Sequence, residues 1–144
     1  MTKVGIVPPA QRAAAEQMRT SAAVVAGGFV FLTGMTGSDA DGGMPADART
    51  QFRNAFEKIA TILAEAGLTF AAVVEMTSYH IGIADHFDLF SAVRADYVTA
   101  PYPAWTAVEV AGLRRPGAIV EIRVVAVDDR QISPGPVPSN RDCR

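Results

Sequence analysis

Apolar and polar positions recur along the chain with two different periods, and those periods mark out its elements. From Asp47 to Ala66 the residues Phe52, Ala55, Phe56, Ile59, Ile62, Leu63 and Ala66 return every three or four positions, with Arg49, Arg53, Asn54, Glu57, Lys58, Thr61 and Glu65 opposite them. That spacing is one face of an α-helix. Asp47 suits its N-cap and Gly67 the position just past its end. Ala22–Ala26 and Phe29–Thr33 flank Gly27-Gly28, and paired glycines supply the positive φ that a two-residue hairpin turn demands. Gly34–Pro45, rich in Gly, Asp and Ser, reads as a loop. Val73–Ile83 is rich in Val, Ile, Thr and Tyr and reads as a strand. Asp85 then caps a second helix from His86 to Val98, with Phe87, Phe90, Val93 and Tyr97 at helical spacing and Pro101 and Pro103 ending it. Two further strands, Trp105–Ala111 and Ala118–Val127, enclose a turn over 112–117.

The predicted order is ββαβαββ, an α+β architecture with a mixed sheet and two helices on one face. Residues 1–20 read as an N-terminal extension: Pro8-Pro9 forbids an early helix, and 10–18 has weak helical character. Residues 21–130 carry the strong periodic signals and form the domain. Residues 131–144 are rich in Pro, Gly, Ser and Asn and read as a flexible tail. Two helices cover only one face of a sheet. Yet Val73, Val74 and Met76, and Val120, Ile122 and Val124 with Ile119, Val125 and Val127, put apolar groups on both faces. An exposed apolar sheet face marks an interface, so the pattern predicts an oligomer whose sheets pack face to face, with pockets between subunits.

Composition narrows the partners. Thirteen Lys and Arg against fifteen Asp and Glu leave a net charge of −2, without the basic surplus that a phosphate-backbone partner requires. Nucleic acid is therefore not expected, nor is a membrane, since no apolar run approaches the ~18 residues of a spanning helix. The amino end lacks the apolar core of a secretory signal, and the one cysteine, Cys143, precludes an intrachain disulfide. A cytoplasmic location is expected.

The chain has no nucleophile elbow, phosphate-binding loop, dinucleotide fingerprint or zinc-protease motif. His80 and His86, with Asp85, are weighed as metal ligands against structural histidines; without a cysteine ligand, no metal and no cofactor is expected. Arg114-Arg115 reads as a solvated pair in a turn. Cys143, in the tail, has nothing nearby in sequence to activate it. Glu121 stands out as an acid among apolar neighbours. A buried unpaired carboxylate is costly, so Glu121 must reach water, Arg123 or a pocket. The sequence leaves open whether it transfers protons or simply lies at an exposed edge.

Several of these segments together resemble the Rid family (YjgF-like, also labelled endoribonuclease L-PSP). The resemblance covers residues 20–128. It rests on the run Ala26–Gly34, on Gln51, Asn54 and Leu63 in a helix ending Ala66-Gly67-Leu68, and on Val73-Val74 leading to Thr77. It continues through Tyr102-Pro103-Ala104, Val108, Val110 and Leu113 to Val120-Glu121-Ile122 and Val125-Ala126. The resemblance implies a chorismate-mutase-like fold and a homotrimeric barrel with small-molecule clefts between subunits. Well-known members hydrolyse enamines and imines to a keto acid and ammonia. In those members an arginine after the Pro-Ala pair grips the substrate carboxylate; here that position is Trp105, whose single N–H cannot replace a guanidinium. Thr20, Met35 and Ser91 stand where the family has a tyrosine, a glutamine and an asparagine. Thr33, Gly34 and Glu121 are retained.

The implied site thus comprises Glu121 as the catalytic acid that orients water, with Trp105, Thr33, Gly34, Met35 and Ser91 as substrate-binding residues. One reading is an enamine or imine deaminase acting on a more apolar substrate. The other is a non-catalytic trimer that binds a small molecule. RNA cleavage, suggested by the family's older label, fits poorly with the net charge. Trp105 could equally fill an interface core.

Overall fold

The computed structural model describes residues 2–131, so Cys143 and all but the first residue of the expected tail lie outside it. The elements are β1 (Val4–Ile6), α1 (Arg12–Met18), β2 (Ala23–Ala26), β3 (Phe29–Leu32), β4 (Met35–Thr36), α2 (Ala48–Glu65), β5 (Val73–His80), α3 (Ile83–Ala95), β6 (Ala104–Glu109) and β7 (Val120–Val127). One sheet runs in the order β1-β2-β3-β7-β5-β6, with β4 on β7. All neighbours are antiparallel except β5 and β6. The α+β reading with a mixed sheet holds. Three features are added: the extension supplies β1 and α1, and Met35-Thr36, read as loop, forms β4 because Ile122 and Glu121 offer it pairing partners.

Local chemistry explains the elements that the sequence placed well. Gly27 and Gly28 adopt φ of 60° and 82°, as the hairpin turn requires. Asp47 caps α2 by accepting from the Thr50 amide at 2.8 Å, and Gly67 at φ 72° follows its end. The second long helix differs. It begins at Ile83 after Gly82, whose φ is 62°, rather than at His86. The Ile83 amide donates to the Glu109 carboxylate on β6 at 3.0 Å, a cap from 26 residues away that local spacing cannot reveal. The helix also ends early, at Ala95. Tyr97 leaves it to stack on Phe56, with ring centroids 4.7 Å apart, and donates its hydroxyl to Glu57 at 2.7 Å.

The core lies between the sheet and α2 with α3. Phe52, Phe56 and Phe90 are fully buried there with Ile59, Ile62, Leu63, Met76, Val30, Val120 and Ile122. Phe52 meets Phe90 edge-on at 5.1 Å and 88°, the geometry that ring quadrupoles favour. Gln51, also buried, stitches three segments together: its amide nitrogen donates to Pro45 O and Gly117 O, and its oxygen accepts from the Ile119 amide. Lys58 donates to Thr36 O at 2.9 Å and Ser38 Oγ at 2.6 Å, and Asn54 donates to Gly37 O and Asp39. These bonds clamp the Gly34–Pro45 segment onto α2 and fix where Gly34 lies.

The other sheet face is bare. Val30 and Leu32 point into the core, so Phe29 and Phe31, which alternate with them along β3, point away, and they are 41% and 40% exposed. They pair with Val127 and Val125 on β7, and their rings lie 6.2 Å apart. Val108 adds another exposed apolar group on β6. Arg123 and Glu75, at 3.9 Å, form a half-exposed ion pair there, of little energetic weight.

Candidate functional site

The residues singled out from the sequence separate into two groups. Thr33 and Gly34 follow β3 directly, and Gly34 meets Glu121 on β7. A Cβ added to Gly34 would lie only 2.9 Å from Cγ, Cδ and Oε2 of Glu121, so the carboxylate rests against bare glycine backbone. Glu121 is half-buried and has no hydrogen-bond or ion-pair partner among the described residues. Arg123, one of its three expected outlets, is turned to Glu75 instead. Thr33 donates its hydroxyl to Ser21 O at 2.7 Å, which leaves only oxygen lone pairs for a ligand. A cavity of about 540 Å³ reaches Ser21 from the N-terminal segment, lined by Arg12, Glu16, Arg19, Thr20 and Ser21 among others. The extension therefore shapes the neighbourhood of Thr33.

Trp105, Met35 and Ser91 do not join that group. Trp105 pairs in register with buried Met76, whereas Glu121 pairs with Tyr79. Met76 and Tyr79 are three apart on β5, and a regular strand turns such residues to opposite faces. Within one chain, then, Trp105 faces the helices and Glu121 faces away. Met35 pairs with Ile122 and packs against the core. Ser91 is half-buried on α3, one turn from Phe87 and Arg94. A cleft holding both Glu121 and Trp105 requires two copies of the chain.

Around Trp105 the structure shows a built environment. The indole N–H donates to Ser78 Oγ at 2.9 Å. Ser78 Oγ lies 2.8 Å from His80 Nε2, and His80 Nδ1 lies 3.3 Å from His86 Nε2. Phe87 stacks on the indole at 5.6 Å and 5°. The Arg94 guanidinium carbon sits 4.0 Å from the indole centroid. Burial draws the Arg94 pKa below the ordinary arginine value, yet an arginine stays charged. Sequence reasoning passed over Arg94. Its signal was the spacing Phe87–Ser91–Arg94, which places all three on one helical face.

His80 and His86 face each other through Nδ1 and Nε2, and no group of three or more His, Cys, Asp and Glu side chains that could hold a metal ion occurs among the described residues. Burial and the neighbouring His86 push the His80 pKa down to about 4. The unfolded chain therefore takes up a proton near pH 6.5 that the folded chain refuses until about pH 4. Stability from this source is complete above pH 6.5, falls with pH through that window and is gone below about 4. Urea unfolding is expected to show a loss of about 2 kcal/mol between pH 7 and pH 5, flattened in His80→Gln. A parent midpoint that stays constant across this window would contradict the assignment.

Residues 10–128 match the family model described as Endoribonuclease L-PSP. The RutC family protein YjgH of Escherichia coli (strain K12) is 34% identical over 125 residues, covering 86% of this chain and 94% of that protein. A solved structure of protein YjgH superposes with a TM-score of 0.80 at 32% identity, over 89% of this chain and 98% of that one. A Mycobacterium tuberculosis member of the YjgF/YER057c/UK114 family gives 0.73 at 28% identity, over 88% and 99%. Among the described residues no helix is long and apolar enough to cross a membrane. With the family model spanning residues 10–128 and a RutC family relative 34% identical over 86% of the chain, the chain belongs to the endoribonuclease L-PSP (YjgF-like) family.

Proposed function

We propose that the chain works as a homotrimer with small-molecule clefts between subunits, where Glu121 directs water onto an enamine or imine. The observation that carries this reading is the Glu121 carboxylate, half-buried, unpartnered and lying on the bare backbone of Gly34. An acid placed so has an open lone pair for a water proton and no competing cation. Hydrolysis of the imine adds water across C=N: oxygen bonds to carbon, a proton passes by way of Glu121 to nitrogen, and the carbinolamine collapses to a carbonyl and ammonia. Backbone groups beside Gly34 and the Thr33 oxygen line the approach. Trp105 and Phe87, reaching the cleft from a second copy, suit a substrate with an apolar or aromatic group.

The test is ammonia release from imines generated in situ by an amino-acid oxidase. Glu121→Gln is expected to lower the enzymatic rate by about a hundredfold, the usual scale of a lost general acid–base. Gly34→Ala is the sharper variant. Its added methyl meets a flexible side chain rather than backbone, so stability should fall by only about 1 kcal/mol, the low end of overpacking, while the displaced carboxylate costs most of the activity. Saturable binding of an apolar ligand without any ammonia release above the spontaneous rate would instead establish the non-catalytic binding trimer.

A further inference from the structure

Arg94 is the one cation of the described chain that the fold holds in place and leaves unused. It forms no ion pair and no side-chain hydrogen bond, although Arg53, Arg123 and Arg130 each engage a carboxylate. The nearby acid at the end of its own helix, Asp96, belongs to Arg53 at 2.8 Å. Its Nε is the only side-chain nitrogen or oxygen among the described residues that is buried without a partner. The two terminal nitrogens have no protein acceptor either, and since they are not buried, they meet solvent. Desolvating part of a guanidinium without an acceptor is unfavourable, and such a cost is retained where a ligand relieves it.

The indole below defines the geometry. With Cζ 4.0 Å above the ring centroid, cation–π attraction fixes the cation. Trp105 is itself anchored through Ser78 to His80, so the platform is rigid. Phe87, 37% exposed, stacks alongside at 5.6 Å and supplies an apolar wall. We infer that Arg94, Trp105 and Phe87 form a receptor for a small carboxylate bearing an aromatic or apolar group, with the carboxylate on the terminal guanidinium nitrogens and the apolar group against Phe87. A fork of two parallel N–H donors matches a planar carboxylate as it does a phosphate, and the apolar wall of Phe87 favours an organic acid. The receptor deepens the proposed cleft, which Trp105 and Phe87 reach from a second copy, and it remains as a binding site if hydrolysis at Glu121 fails.

Trp105 is the chain's only tryptophan, so its fluorescence reports the site directly. Phenylacetate titrated into the full chain is expected to change that emission saturably, with a dissociation constant on the order of 1 mM. Arg94→Gln should weaken binding by about tenfold or more, the worth of hydrogen bonds to a charged group. Arg94→Lys, which keeps the charge and loses the fork, should fall between the two. Calorimetry repeats the comparison independently of the emission change that losing the stacked cation itself produces. Neutral phenylacetamide of the same shape should bind the parent at least tenfold more weakly, on the same scale, and this arm needs no variant to fold. Equal binding of phenylacetate by parent and Arg94→Gln, equal binding of acid and amide, or no saturation at all would overturn the inference. Because nothing turns over, these outcomes are independent of whether Glu121 hydrolyses an imine.

Discussion

Gly37→Ala is expected to destabilise the chain more than any other single methyl that could be added to a described glycine. An added Cβ would lie 2.2 Å from Gln51 O, 2.5 Å from its Cα and 2.6 Å from its carbonyl carbon. All three are backbone atoms of α2, so no rotamer change relieves the overlap. The helix cannot retreat either, because Gln51 is bonded to Pro45, Gly117 and Ile119 and is buried. Either the segment from Gly34 to Pro45 lifts off α2, breaking the Asn54 and Lys58 bonds, or the core opens. We expect a loss on the order of 3 kcal/mol or more, read from the urea midpoint with Trp105 emission as probe. A variant within about 0.5 kcal/mol of the parent, the range of an ordinary surface change, would show that the Gly37–α2 contact is not as close as described.

Phe31→Asp is expected to leave the fold intact and abolish the assembly. Phe31 sits at the middle of the bare sheet face, between Val24 on β2 and Val125 on β7, and is 40% exposed in the single chain. A monomer loses little when that ring is replaced, since water already reaches it. In a face-to-face assembly the same position becomes dry, and an unpaired carboxylate there costs several kcal/mol per interface. Association should weaken on the order of a thousandfold, giving a folded monomer by light scattering at micromolar concentration. Activity should vanish with it, because Glu121 and Trp105 lie on opposite faces of one chain. An assembly unaffected by Phe31→Asp would place the interface elsewhere.

What could be read from the sequence follows from what is local. The Gly27-Gly28 turn, the Asp47 cap and the apolar stripe of α2 are each settled within a few residues, and each was legible. The start of α3 was not, because Glu109, far along the chain, caps it. β4 was not, because Met35-Thr36 has no strand pattern of its own and becomes a strand only where β7 offers partners. The same limit divided the site. Glu121 and Gly34, both named from the resemblance, lie side by side in the structure. The grouping of Trp105, Met35 and Ser91 with them was a matter of sheet face and register, which spacing does not report. The substitution of tryptophan for the family's arginine suggested that the cation was gone, yet Arg94 on α3 brings a guanidinium back onto that indole. Only packing could show it.

The claim on which the rest depends is that the bare face of the sheet is covered by other copies of the same chain. Native mass measurement of the full protein at micromolar concentration addresses it most directly. The account predicts a species of about 46 kDa, three times the 15.2 kDa chain, as a closed ring of three. A stable particle of 15.2 kDa would contradict it.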